Sequence, residues 1–169
     1  IASHAGIGLG TIYKHFSQKS DVLAASFCDD IEGILENVFS ELPEDRPLID
    51  KVLHVAERFY SFYAQHQKMS RMYLQRLYII GGEGKAAIDD LDSRFLVRVG
   101  GVIEEEKAVG RIRKEIDSGM LALSLFSHYL TALGVCFFKV ETFDPDHALE
   151  LLKQLVTLTL NGVAEPEKK

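Results

Sequence analysis

Residues 10–19 contain the side chains of this sequence that are best suited to chemistry outside the protein. Tyr13, Lys14 and His15 are consecutive hydrogen-bond donors, and Thr11 adds a hydroxyl group. Such groups donate to phosphate oxygens and to the edges of bases. The set therefore predicts a surface that fits a polyanion.

A short helix would present these donors together. Leu9, Ile12 and Phe16 recur at the i, i+3, i+7 spacing of one buried helical stripe, which leaves the donors on the other faces. Gly6 suits a sharp turn before this helix, because glycine enters the left-handed backbone region without a Cβ penalty. An ordinary turn between helices with a solvated face is the alternative that spacing alone leaves open.

Residues 1–23 resemble the helix-turn-helix of the tetracycline-repressor (TetR-like) family of bacterial transcription regulators. In that family a Gly-Thr-hydrophobic-Tyr-x-His-Phe run forms the recognition helix, and here the run is residues 10–16, followed by a lysine. The resemblance implies that the DNA-contacting residues are Gly10, Thr11, Tyr13, Lys14, His15 and Lys19. Gly8 and Gln18 depart from the family, which commonly has a Ser or Thr helix cap at the first position and often a Ser at the second.

The start of the chain bears on its domain organisation. The chain begins at Ile1, and residues 1–6 are typical of the end of a helix. We therefore expect that the first helix and most of the second helix of a three-helix reader are absent. Residues 1–23 are predicted to be a partial helix-turn-helix DNA-binding domain, and residues 24–169 an effector-binding and dimerisation domain.

Composition narrows the function classes. The 169 residues are 47% hydrophobic and 26% charged, which is enough for one sizeable core. The net charge of −6 is unusual for a nucleic-acid binder, but residues 1–23 carry a net charge of +1 and the remaining chain carries −7. Cys28 and Cys136 lie far apart, so a reducing, cytoplasmic compartment fits, and neither a metal nor a cofactor is predicted.

Hydrophobic periodicity and helix breakers predict an all-α fold. Helices are expected at residues 20–42, 47–65, 68–80, from residue 85 onward, at 118–138 and from 145 to about 162. Residues 118–138 contain no charge, but their Ser, Thr, Tyr and His residues make a membrane span too polar, so a buried bundle helix is predicted and no membrane partner. Gly100 and Gly101 are expected at a kink or a close packing point, and residues 104–106, all Glu, on a solvated face.

The body contains many aromatic residues with a few polar ones between them. By default such aromatic residues pack in the core, and a lone His128 on an apolar helix is more often a satisfied core histidine. The other interpretation is an apolar cavity with a few polar anchors, which predicts a small, mostly apolar effector. The predicted effector-binding residues are Phe59, Tyr63, Tyr73, Arg76, Phe95 and His128. Of these, Tyr73, Arg76 or His128 is the expected polar anchor.

The last two helices predict a homodimer. The final helix carries two apolar stripes where one would suffice for its own core, and the preceding helix offers a seam of small residues at i, i+3, i+7 and i+10. The predicted interface is Ser124, Ser127, Thr131, Gly134, Leu152, Leu155 and Val156. The alternative is that both stripes are covered within one subunit. A dimer would place two readers on a palindromic double-stranded DNA operator.

The predicted function is a DNA-binding transcriptional regulator, a repressor that a small-molecule effector releases from its operator. One alternative is an all-α small-molecule-binding or lipid-handling protein without DNA binding. A helical enzyme is a weaker alternative, because the six histidines form no i, i+4 pair and no catalytic group can be argued from spacing.

Overall fold

The computed structural model describes residues 19–43, 45–77, 85–138 and 142–163. Within these residues the chain forms six helices, which confirms the predicted all-α fold. They are α1 (Lys19–Val38), α2 (Leu48–Gln65), α3 (Gln67–Leu77), α4 (Lys85–Ala108), α5 (Ser118–Phe138) and α6 (Pro145–Val163). The predicted DNA-contacting residues 10–15 lie outside the described residues. Lys19 begins α1, but its side chain is likewise outside the description.

Local capping explains where the later helices begin. Asp144 precedes α6, and its Oδ1 atom accepts the backbone N–H of Asp146 at 3.0 Å. Asp117 does the same for α5, where Oδ1 accepts the N–H of Met120 at 2.8 Å. These side-chain oxygens satisfy donors that the first helical turn leaves unpaired. After α4, Gly110 has a φ of +79°, a backbone conformation that favours glycine.

The core lies where α5 packs between α4 and α6, with α2 against α6. Tyr60, Ile103, Leu133 and Phe137 come from three of these helices and have no exposed surface, or almost none. Burial of each large apolar side chain contributes about 1.5–3 kcal/mol, so this shared core holds the body together. The first helix, α1, contacts α2, α3 and α4.

Helix α5 is the most apolar element of the described chain. By length and composition alone, its residues Ser118–Phe137 are sufficient to cross a membrane. In the fold, however, Leu121, Leu125, Leu133 and Phe137 of this helix are buried core residues. A buried helix in a bundle can be as long and as apolar as a membrane span. The burial of these residues agrees with the bundle helix predicted for residues 118–138.

Two expectations for α4 are wrong in part: Glu104 and Glu105 are exposed as expected but Glu106 is not, and Gly100 and Gly101 are not a close packing point. The helix continues through Gly100 and Gly101, and a Cβ atom added at either position would meet nothing within 4 Å, so these glycines do not mark a close packing point. Glu106 is not on a solvated face, because its side chain has no exposed surface. Its burial is explained by the ion pairs described below.

Candidate effector site

Two small cavities lie in the helical body, cavity A among α2, α4, α5 and α6 and cavity B among α1 to α5. Each has a volume of about 30 Å³, roughly the share of one water molecule in the liquid. The first, cavity A, is lined by side chains that include Leu48, Lys51, Val55, Val99 and Leu152. The second, cavity B, is lined by side chains that include Ile31, Phe59, Tyr63, Tyr73, Leu91 and Asp92.

Three aromatic residues, Phe95, Phe126 and Tyr129, line both cavities and so separate them. We call these residues the aromatic partition. The ring centroid of Phe95 lies 5.4 Å from that of Phe126 and 6.1 Å from that of Tyr129, and the latter two are 6.0 Å apart. These are ordinary separations for paired aromatic rings. These three residues therefore lie between the two cavities.

The polar side chains that line cavity B are three tyrosines, Tyr63, Tyr73 and Tyr129, and Asp92. The Tyr129 hydroxyl donates to the Tyr63 hydroxyl at 3.3 Å, and Tyr60 donates to the backbone oxygen of Tyr129 at 2.8 Å. Burial raises the pKa values of Tyr63 and Tyr73 well above the usual value for tyrosine. These phenols therefore stay neutral at physiological pH and keep their O–H groups as donors.

A buried ion cluster, defined here as Lys51, Glu106 and Arg111, lies at the edge of cavity A. Lys51 Nζ donates to Glu106 Oε1 at 2.9 Å. The Arg111 guanidinium donates to both carboxylate oxygens, from Nε to Oε2 at 2.6 Å and from Nη2 to Oε1 at 2.8 Å. Burial raises the pKa of Glu106, but the hydrogen bonds from Arg111 and Lys51 outweigh burial, so its pKa falls below the usual carboxyl value. Glu106 is therefore an anion at neutral pH.

A larger groove opens on the outer side of the same cluster. It has a volume of about 640 Å³ and shares Phe39, Leu42, Lys51 and Val102 with cavity A. We call it the outer groove. Its remaining lining includes the cations Arg98 and Arg111 and two exposed apolar residues, Val97 and Val109. Lys51 thus lies between a solvent-facing groove and the apolar interior.

The structure brings together four of the six predicted effector-binding residues. Phe59, Tyr63, Tyr73 and Phe95 all line cavity B. His128 is wrong as an anchor for these cavities, because its Nε2 atom lies 2.6 Å from Thr159 Oγ1 on α6 and the residue lines neither cavity. The Arg76 side chain lies outside the described residues.

Sequence reasoning missed Lys51 and gave Phe126 and Tyr129 no specific role. The available signal for Lys51 was its position on the buried stripe of α2, three residues after Leu48 and four before Val55. A lysine at such a position is expected to have a charged partner, because charged side chains are almost never fully buried unless paired.

The predicted dimer residues separate into two groups. Leu152 and Val156 have no exposed surface within the single chain, so their assignment to an interface is wrong: packing on the chain's own core already covers them. Ser127 and Thr131 are exposed, and the half-buried residues of the set are Ser124, Gly134 and Leu155. Four large apolar residues of α5 and α6 are also exposed, namely Met120, Leu123, Val135 and Leu158.

A set of exposed ion pairs connects α1 to α4. Arg94 lies 2.5 Å from Glu32 and 2.5 Å from Glu36, and Arg98 lies 3.4 Å from Glu36. Asp90 is a further partner of Arg94, at 3.6 Å. We call this set the arginine clasp. Because Phe95 of the aromatic partition is the residue after Arg94, a shift of this part of α4 would reach α1 directly.

The six-helix fold is of the type found in TetR-family transcription regulators. The structure is similar, with a TM-score of 0.73 and 22% identity, to the fatty acid degradation regulator FadR from Bacillus halodurans, over 95% of this chain and 85% of that one. It is also similar, with a TM-score of 0.59 and 17% identity, to the ketosteroid transcriptional regulator KstR2 of Mycobacterium tuberculosis, over 98% of this chain and 83% of that one.

Sequence comparison gives relatives of the same kind. The chain is 23% identical over 126 residues to the fatty acid metabolism regulator protein of Bacillus subtilis, which covers 75% of this chain. It is 23% identical over 172 residues to the HTH-type transcriptional repressor KstR2 of Rhodococcus jostii, over 98% of this chain and 80% of that protein. The chain spans less than two thirds, 65%, of the B. subtilis regulator.

No family model matches the chain. The relatives nevertheless confirm the predicted resemblance to the TetR-like regulators. They also favour a transcription regulator over a lipid-handling protein without DNA binding. Among the described residues, no group of three or more His, Cys, Asp or Glu side chains is arranged to hold a metal ion.

Proposed function

We propose that this protein is a DNA-binding transcriptional repressor that a small, mostly apolar effector releases from its operator. The observation that carries the proposal is the combination of the residue 10–16 run with a body whose fold matches TetR-family regulators over nearly the whole chain. The domain division stays as predicted, with a reader in residues 1–23 and a binding and dimerisation body in residues 24–169. A regulator of this type works in the cytoplasm.

The reader is proposed to contact DNA through the residues named from the resemblance. Thr11, Tyr13 and His15 have donors suited to base edges and phosphates, whereas Lys14 and Lys19 act as point charges on phosphate. The negative charge of the body supports a contact restricted to this end, because DNA is repelled elsewhere.

The body is proposed to bind an elongated apolar effector. The relatives are named for fatty acid metabolism and for ketosteroid regulation, and both kinds of compound are largely apolar. Cavities of about 30 Å³ are far below the roughly 300–1,000 Å³ of typical ligand sites, so binding requires the interior to open. Opening at the aromatic partition would displace α4 and, through the arginine clasp, α1 and the reader.

A homodimer is proposed through the outer face of α5 and α6. This face combines Ser127 and Thr131 with exposed Leu123 and Leu158, and exposed apolar patches are typical of protein interfaces. Thr131→Glu should convert the dimer into a monomer in light scattering, while Thr157→Glu on a neighbouring exposed position tests for a general effect of charge. A folded Thr131→Glu protein that remains dimeric would contradict this face.

Release from DNA would follow from a change in reader separation. Two readers of a two-fold dimer engage successive major grooves about 34 Å apart, or a multiple of that distance. An effector that binds one body conformation more tightly shifts the population toward it, so a conformation with a different separation dissociates from the operator.

The operator interaction is tested with the full-length protein and DNA upstream of its gene in a gel-shift assay. Lys19→Ala should weaken binding about equally on all sequences and reduce the salt slope by about one, as for the loss of one phosphate contact. Lys114→Ala, an exposed lysine between α4 and α5, is the matched control and should leave binding unchanged.

The variants Tyr13→Phe and His15→Ala test recognition of the DNA bases and of the DNA backbone in the same gel-shift assay. Both should lower operator affinity. If neither variant differs from the wild-type protein, or if the wild-type protein binds no palindromic duplex in a salt-dependent manner, the proposed repressor function is wrong.

A further inference from the structure

Lys51 has more hydrogen-bonding capacity than the fold uses. It is 5% exposed, and among the described residues its ammonium group has Glu106 as its one hydrogen-bond partner. An ammonium group has three N–H donors, and the bond to Glu106 uses one of them. Because Lys51 also lines the outer groove and cavity A, an acceptor that enters from either side can reach this ammonium group.

The charge of the buried ion cluster indicates what kind of acceptor fits. The charged side chains that line the outer groove are three cations, Lys51, Arg98 and Arg111, and two anions, Glu105 and Glu106. Arg98 pairs with Glu36, and Arg111 forms two hydrogen bonds with Glu106, whereas Lys51 forms one hydrogen bond. The net positive charge of this lining favours an anion beside Lys51. A carboxylate supplies both the negative charge and the acceptor oxygens.

The surroundings of Lys51 indicate the shape of the molecule that carries this carboxylate. On one side is cavity A, whose lining is almost wholly apolar, and beyond the aromatic partition is cavity B. On the other side is the outer groove, which has exposed Val97 and Val109 along it and solvent access. An apolar body would extend inward from Lys51, while its polar end stays at the groove.

We infer that Lys51 binds the carboxylate of an elongated apolar effector, whose body enters through the outer groove and passes the aromatic partition from cavity A into cavity B. This inference rests on the proposed function, and it names the chemical class and orientation of the effector. It also replaces Arg76 and His128 with Lys51 as the polar anchor. The carboxylate belongs to either a flexible acyl chain or a rigid sterol acid, since both share this chemistry.

The test is isothermal titration calorimetry of the full-length protein with dodecanoate and with dodecan-1-ol, which lacks the charge. Wild-type protein should bind dodecanoate on the order of tenfold to a hundredfold more tightly, the usual effect of a charge-assisted hydrogen bond. Lys51→Met should lower dodecanoate affinity to that of the alcohol and leave alcohol binding unchanged. Lithocholate in the same titration distinguishes a rigid sterol acid from a flexible chain.

Lys107→Met is a matched control. Lys107 Nζ also lies 2.9 Å from a glutamate, Glu104, but it lines none of the cavities or grooves described above. This variant should bind dodecanoate as the wild-type protein does. Equal dodecanoate affinity in Lys51→Met and wild type would overturn the anchor, and so would a wild-type protein that binds neither carboxylic acid.

Two further measurements keep the inference testable if Lys51→Met does not fold. Dodecanoate should slow hydrogen exchange of wild-type residues 48–56 and 95–106, and protection confined to other segments would overturn the site. Phe126→Ala, which widens the aromatic partition, should bind dodecanoate several-fold more tightly than wild type, because less opening is required. An unchanged or lower affinity would overturn passage between the cavities.

Failure of this inference is distinguishable from failure of the proposed function. Operator binding is measured by gel shift without any lipid. A protein that binds its operator but no carboxylic acid remains a repressor with a different effector.

Discussion

The buried ion cluster and the arginine clasp use the same chemistry in opposite environments. Each joins α4 to another helix or loop through cation–glutamate contacts shorter than 3 Å. The Glu106 side chain has no exposed surface, whereas that of Glu36 is 50% exposed. A buried charge must stay paired because its desolvation is expensive, but an exposed pair exchanges readily with water.

This difference gives the two halves of α4 different mechanical roles. The buried ion cluster fixes the C-terminal half of α4 to α2 through Lys51 and Glu106. The arginine clasp links the N-terminal half to α1 through exposed pairs. A shift of this half of α4 can therefore reach α1 through the clasp while Lys51 and Glu106 remain paired.

The largest expected effect comes from removing the buried anion. Glu106→Leu leaves Lys51 buried without a counter-charge, and loss of one partner of such a pair typically lowers the free energy of unfolding by about 3–5 kcal/mol. Glu36→Leu in the clasp should change it by about 1 kcal/mol or less. Urea unfolding followed by circular dichroism measures both. Similar losses in the two variants would show that burial does not separate these pairs.

Lowering the pH provides a second test of the buried ion cluster. Hydrogen bonds from Arg111 and Lys51 lower the pKa of folded Glu106 below its ordinary value of 4.5. A carboxyl group whose pKa is lower in the folded chain than in the unfolded chain stabilises the fold. This contribution is fully present at a pH above the pKa of the unfolded chain, and it is lost as the pH falls through the pKa of the folded chain.

Wild-type protein should therefore lose stability more steeply below about pH 4.5 than Glu106→Gln, which has no carboxyl group to protonate. Urea midpoints measured from pH 6 to pH 3 provide the comparison. Parallel pH curves for the two proteins would contradict a stabilising role for the Glu106 carboxylate.

A substitution in the arginine clasp should have the smallest effect on stability but a larger effect on operator binding. Arg94→Gln removes the contacts of Arg94 with Glu32 and Glu36 and leaves the Arg98–Glu36 pair. Because the lost pairs are exposed, the melting temperature should stay close to that of wild type. Operator affinity should change several-fold, because α1 connects the reader to the body. Arg46→Gln is the control, since its 4.0 Å pair with Asp50 joins no two helices. Equal operator affinities in both variants would remove the clasp from the coupling.

Signals that act over a few residues made much of the fold predictable. Asp144 and Pro145 mark the start of α6, and the uncharged segment 118–138 coincides with α5. Aromatic spacing likewise identified Phe59 and Tyr63 as residues of the interior. These features depend on capping and hydrophobic periodicity, which the local sequence determines.

The remaining features depend on how distant segments meet. Lys51 and Glu106 are 55 residues apart, and only the packing of α4 beside α2 makes them partners. Both apolar stripes of α6 were visible in the sequence, but tertiary packing decides that Leu152 and Val156 face the chain's own core. The partner of His128 is likewise distant in sequence, because Thr159 on α6 lies 31 residues away and reaches it only in the folded chain.

The uncharged composition of α5 has a consequence for synthesis of the protein. During translation α5 is complete before α6 exists, so its core-facing leucines remain uncovered until the last helix has been made. A chain that stops before Pro145 would retain this apolar segment of membrane-spanning length without one of its packing partners. Truncations intended to isolate the effector site should therefore keep α6, since its absence favours aggregation and binding to detergent or lipid.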